Sequence, residues 1–301
     1  MRLFKLAIFV SMLFCSGLGS TTWAAESGGI ELVQLKTADG VKLTGVLRQP
    51  HLSKCQAGIV MVHGYSGNFY SSIMEFLPEA LTNRGFCTLA INMRDHDRVP
   101  KKNLFEENRL DIAVAVDEMD RRGFRPIFLY GHSMGSNRVL YYQAETKDPR
   151  ITGAIITGPP GNLYEWNVRI FGQEAAAGVL GRAQKLKADG KGDEWMLINL
   201  GPLGKTLYTA NHLVSLRGPQ TASDPFKNIS RISMPVLIVH GLADRLADHK
   251  VADRLSRQAG SGVKVKVVKI TDAGHGFRDH QQELVDAIYD WLSTQLSGTS
   301  Q

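Results

Sequence analysis

The chain has 301 residues, 43% hydrophobic and 21% charged, with a formal net charge of +6 at neutral pH. Apolar runs recur along its length, which excludes a disordered chain. The basic residues are dispersed, with only short pairs such as Lys101-Lys102 and Arg121-Arg122. That pattern is a solvated surface and not a nucleic-acid face.

The first stretch reads as a targeting segment. Arg2 and Lys5 precede an apolar run at 6–14 that is too short to span a bilayer, and "TWA" supplies small residues at a cleavage site. Residues 1–24 are therefore expected to be a secretory signal peptide, with the mature protein at 25–301 secreted or periplasmic and without a stable membrane span. Cys15 would leave with the signal. Cys55 and Cys87 would remain in an oxidising compartment, where a disulfide and two free thiols both stay open.

Segments 30–36 and 42–48 alternate apolar and polar residues around "TADGV", which predicts a β-hairpin with one solvated face. From Ile59 the strands change. "GIVMVH", "CTLAIN", "PIFLYG", "ITGAIITG", "PVLIVHG" and "VKVKVVKI" are near-continuous apolar runs, as in parallel strands buried on both faces. Helical periodicity separates them at 71–83, 109–122, 134–146, 250–258 and 281–296. Alternating strands and helices predict an α/β fold with a mostly parallel eight-stranded sheet flanked by helices. Residues 161–228 are too long for a connection and are expected to be a helical cap insertion.

"LYGHSMGSN" raises the chemical question. Gly131-His132-Ser133-Met134-Gly135 fits Gly-x-Ser-x-Gly between a buried strand and an amphipathic helix, which is the strand–turn–helix of a nucleophile elbow. A serine nucleophile needs a base, and the base needs an orienting acid. "VLIVHGLAD" delivers Asp244 at a strand end and "KITDAGHGF" delivers His275 after the last strand. Asp248, before a helical stretch, reads instead as a cap of that helix. Oxyanion donors are expected from the backbone N–H groups of Met134 and of Tyr65, in the loop after "GIVMV". The Tyr65 ring either lines the site or packs in the core. Trp166 and Trp195 are candidates to bind substrate, with core packing as the competing role. Asp95-His96-Asp97 reads as a solvated loop, without metal-ligand spacing. No phosphate-binding glycine fingerprint opens a helix, so neither cofactor nor metal is expected.

In order, "VMVHGYSGN", "LAINMRDHD", "LYGHSMGSN", "VLIVHGLAD" and "DAGHGF" resemble the blocks of the α/β-hydrolase superfamily, over residues 30–160 and 230–296. The resemblance is to its serine esterase and aminopeptidase-like branch with a helical cap. "NMRDHD" departs from that family's Asp-x-Arg-Gly-His-Gly. The resemblance implies a serine hydrolase cleaving carboxylic esters through an acyl-enzyme, with a small-molecule ester or short acyl or peptidyl substrate. A peptidase or amidase of the same fold is the alternative. It would need a carboxylate near the nucleophile, for which Glu165, Glu174, Asp189, Asp193 and Glu194 are available. A non-catalytic binding protein is the remoter alternative.

Overall fold

A computed structural model describes residues 29–51 and 54–298; the expected signal peptide and Cys15 lie outside the described residues. The alternating segments form strands β1 (Ile30–Lys36) and β2 (Lys42–Arg48), paired antiparallel from Ile30 opposite Arg48 to Lys36 opposite Lys42. β1 buries only Val33 and Leu35, so one face of the hairpin is wet, as its alternation requires.

The central strands are β3 (Gly58–Val62), β4 (Cys87–Ile91), β5 (Ile127–His132), β6 (Ile151–Thr157) and, further along, the strand Val236–Gly241. All are apolar on both faces because both faces are covered. Helices α1 (Leu77–Thr82), α2 (Asn108–Arg121) and α3 (Met134–Thr146) connect the first four of them. Between β6 and Val236 the chain makes α4 (Leu163–Phe171), α5 (Gln173–Ala188), β7 (Trp195–Asn199), β8 (Lys205–Thr209), α6 (Ala210–Arg217) and α7 (Pro225–Ile229). The strand Val236–Gly241 is β9; α8 (Lys250–Gln258), β10 (Val265–Ile270) and α9 (Gln281–Ser297) complete the fold.

The main sheet runs β1-β2-β4-β3-β5-β6-β9-β10, parallel from β4 onward. Alternate residues of each strand feed two cores. Val60, Leu89, Leu129, Ile156 and Ile238 pack with α2, α3, α7 and α8 on one face. Met61, Phe128, Ile155 and Val239 pack with α1 and α9 on the other, where Trp291 meets Phe128 edge to face.

Two elements differ from the sequence reading. "VKVKVVKI" is not buried on both faces: β10 pairs with β9 alone, and Lys266 and Lys269 are exposed on this edge. Edge position, with lysines that discourage further pairing, accounts for it. The segment at 161–228 is not helical alone. β7 and β8 form their own antiparallel pair, with Met196 and Ile198 buried while Trp195 and Leu197 face out. At its far end, Phe226 and Ile229 of α7 belong to the main core.

Cys55 and Cys87 are joined, with Cα atoms 5.4 Å apart, inside the range a disulfide spans. The chain before β3 bends beside the start of β4, where Gln56 N–H donates to Gly85 and Cys87 N–H to Ala57. Closing this 32-residue separation is worth roughly 3–4 kcal/mol in the chain-entropy account.

His63, just beyond β3, fastens the loop that leads to the site. Its ring is buried, accepts the Met93 N–H at Nε2 (3.0 Å) and therefore carries its proton on Nδ1, which donates to Gly64 O (2.7 Å). Burial, reinforced by nearby Arg138, holds its pKa down to about 3. A proton on Nε2 would face the Met93 N–H.

Two outcomes follow. Thiol titration of the denatured, unreduced protein should find no free thiol at Cys55 or Cys87; two free thiols would contradict the pairing. For His63, the folded pKa lies below the unfolded value of about 6.5, so its stabilisation is full above pH 6.5 and lost as pH falls toward 3. In urea melts, His63→Gln should cost about 1–3 kcal/mol at pH 7.5. That difference should shrink by up to about 1.4 kcal/mol per pH unit below pH 6.5. A difference constant from pH 7.5 to 4.5 would contradict a buried neutral imidazole.

Candidate active site

The order of the sheet reverses between β3 and β5, which opens a crevice at their carboxyl ends. Val62 of β3 pairs with Gly131 of β5, so the loops leaving the two strands start side by side. Ser133 stands at the turn from β5 to α3 with φ +53° and ψ −123°. A non-glycine residue there costs on the order of 1–3 kcal/mol and persists only when its surroundings fix it. They do: Ser133 N–H donates to Thr157 O (2.8 Å), and Ser136 Oγ donates to Gly131 O (3.0 Å). The flanking glycines are required by close approach. A Cβ on Gly131 would sit 2.4 Å from Gly135 O, and one on Gly135 would sit 2.3 Å from Val62 O.

Asp244 and His275 come from the loops after β9 and β10. His275 Nδ1 is 2.7 Å from Asp244 Oδ2, while Asp244 Oδ1 accepts the N–H groups of Leu246 and Ala247, both at 2.8 Å. His240 Nε2 lies 3.3 Å from the same Oδ2. Burial by itself would raise the Asp244 pKa, but nearby His240 and the hydrogen bond to His275 outweigh it and hold the carboxyl well below the usual range. The ionised carboxylate fixes the imidazole proton on Nδ1 and leaves Nε2 as a base. The His275 ring is positioned by its neighbours. A Cβ on Gly158 (φ +52°) would stand 3.2 Å from it, and the buried His132 ring packs 4.8 Å away, held through Thr157 Oγ1 (3.0 Å). Asp248 plays another part: its Oδ1 accepts the Lys250 N–H (2.9 Å) at the start of α8.

Ser133, His275, Tyr65 and Met134 border one cavity of about 140 Å³. Gly64, beside Tyr65, runs so close to the Ser133 turn that a Cβ there would be 3.0 Å from Ser133 Cβ. Trp166 also lines the cavity, with Nε1 donating to Leu246 O (2.8 Å). Trp195 is not brought to it. It lies on the outward face of β7 and is 49% exposed. No Asp or Glu lines the cavity among the described residues. Glu165 pairs with Arg254, Asp189 with Lys185 and Glu194 with Lys191, all at the surface.

One supporting pair escaped the sequence reading. Asp95, expected in a solvated loop, is 5% exposed, and both its oxygens accept from Arg138 Nη2 on α3 (2.5 and 2.7 Å). Arg138 Nη1 also donates to His63 O (3.3 Å). The pair ties α3 to the loops after β3 and β4. The departure of "NMRDHD" from the family pattern thus hides a buried anchor. The one available signal was an arginine in the middle of a helix that is otherwise apolar or small on its inner side.

Comparison with known proteins places this geometry. The sequence model of the alpha/beta hydrolase family matches residues 59–287. Among solved structures, Est1E from Butyrivibrio proteoclasticus is similar with a TM-score of 0.65 at 19% identity, covering 88% of this chain and 99% of that one. The Pyrococcus furiosus esterase Pf2001 is similar with a TM-score of 0.61 at 18% identity, covering 89% and 91%. The esterase domain of a Rhodothermus marinus protein gives 0.60 at 18%, covering 87% and 97%. At such identities the likeness is one of fold. The family match spans most of the chain, and the chain belongs to the alpha/beta hydrolase family.

Proposed function

We propose that this protein is a serine hydrolase of carboxylic esters, with Ser133 as nucleophile, His275 as base and Asp244 as its orienting acid. Ser133 Oγ attacks the acyl carbon while His275 Nε2 takes its proton. The backbone N–H groups of Tyr65 and Met134 hold the oxyanion. As the C–O bond breaks, His275 returns the proton to the leaving alcohol and an acyl-enzyme remains. Water, deprotonated by His275, attacks the acyl carbon. The acid leaves, and Ser133 recovers its proton from His275. Asp244 stays ionised and balances the transient imidazolium.

The observation that carries this reading is the 2.7 Å His275–Asp244 contact opening on the same cavity as a serine held at positive φ. The cavity's lack of carboxylates favours esterase over aminopeptidase, which must read a charged amino terminus. A purely binding protein has no use for a backbone-anchored Asp244 beneath the imidazole. Secretion is part of the proposal, and the Cys55–Cys87 bond supports an oxidising compartment. The segment between β6 and β9 is proposed to shape substrate choice, with Leu163, Trp166, Leu203 and Arg217 on the cavity wall.

Kinetics on a short-chain ester test the assignment. Ser133→Ala should lower kcat by about 10³-fold or more. Asp244→Asn should lose up to about 10⁴-fold with little loss of stability. Asp248→Ala should instead keep turnover and cost about 1 kcal/mol in thermal or urea unfolding. Near-normal turnover in Ser133→Ala sinks the mechanism. A reversed pattern between the two aspartates moves the acid to Asp248.

A further inference from the structure

Arg217 closes α6 and is 3% exposed, yet it lines the cavity that holds Ser133. Its Nη1 donates to Leu163 O (2.8 Å), and its guanidinium stands 5.7 Å from the Trp166 ring centre. Its Nε is buried without a hydrogen-bond partner, and no carboxylate pairs with it among the described residues. Arg138 also leaves its Nε unpartnered, so the difference lies in the counter-charge. Buried Arg138 is matched by Asp95, and Arg94 by Asp111 at 2.8 Å.

The surroundings are deficient in negative charge. Asp95 is committed to Arg138, and the Lys101 ammonium is held by backbone oxygens of Asp95 and Asp97. The buried hydroxyls of Tyr65 and Tyr208 lie close to each other, and Tyr208 lies close to Arg217. Arg217 therefore brings to the cavity wall a guanidinium without a carboxylate partner among the described residues. A buried cation left unpaired is costly. A neutral ester would leave it so, whereas a carboxylate on the substrate would match it with strong, charge-assisted hydrogen bonds.

We propose that Arg217 recognises a carboxylate carried by the substrate, so that the preferred esters bear a free acid on either the acyl or the alcohol portion. The proposal rests on the esterase reading above for its chemistry, but the anion site itself does not.

The test uses the whole mature protein and four esters. Methyl hydrogen glutarate is set against methyl pentanoate, and 3-acetoxypropanoate against n-butyl acetate. The first pair places the acid on the acyl side, the second on the alcohol side. One pair should show kcat/KM about 10–100-fold higher for the acid-bearing ester, and which pair does so identifies the side. Arg217→Met should bring that ratio close to one, while Arg217→Lys should retain part of it. Ratios near one in both pairs for the wild type, or an unchanged ratio in Arg217→Met, overturn the proposal. If Arg217→Met does not fold, the wild-type ratios and competition by free glutarate decide alone. If no ester is turned over, the esterase reading fails separately, and calorimetric titration of glutarate into the wild type and Ser133→Ala still reads the anion site. Glutarate binding to both supports the proposal; no binding to either overturns it.

Discussion

The cavity depends on how closely α3 sits on β3. Gly135 packs its Cα against the Val62 carbonyl, where a side chain would come within 2.3 Å of that oxygen. This approach is possible only without a Cβ, and it fixes much else. It sets the turn that strains Ser133 and brings Met134 beside the loop carrying Tyr65. Arg138, one turn further along α3, then reaches His63 O and Asp95. The strained Ser133 backbone is tolerable because so many independent contacts determine its place.

The electrostatics beneath the site follow one rule, from which two buried cations depart. Buried charges are paired and hydrogen-bonded: Asp95 with Arg138, Asp111 with Arg94, and Asp244 with two backbone N–H groups and His275. Buried histidines stay neutral, as burial pushes the pKa values of His63, His132 and His212 down. Lys101 and Arg217 have no carboxylate partner among the described residues: Lys101 is held by two backbone carbonyls, whereas Arg217 lines the cavity. A charge without a counter-charge is expected where a ligand supplies one.

Local pattern made much of this legible. The β1–β2 hairpin follows from alternation around a turn, the elbow from Gly-x-Ser-x-Gly between an apolar strand and a helix, and Asp244 and His275 from their places after strands. What remained hidden depends on distant partners. Asp95 looks solvated until Arg138, 43 residues later, is folded against it. The apolar run in β10 does not reveal that only β9 flanks it. Trp195 and Trp166 are equal candidates in sequence, but β7 turns the first outward while α4 turns the second to the cavity. The β7–β8 pair is not marked by alternation either: Trp195 to Ile198 is a continuous apolar run, and only the fold turns Trp195 and Leu197 outward while burying Met196 and Ile198.

The central claim is that Ser133 is an activated nucleophile, and covalent labelling reads it most directly. The protein should be incubated with a fluorophosphonate probe at neutral pH, then weighed intact and mapped by peptide mass spectrometry. The account predicts one adduct per chain, on Ser133, with labelling slowed strongly in Asp244→Asn. An unlabelled protein that is folded, or an adduct on another residue, would contradict it.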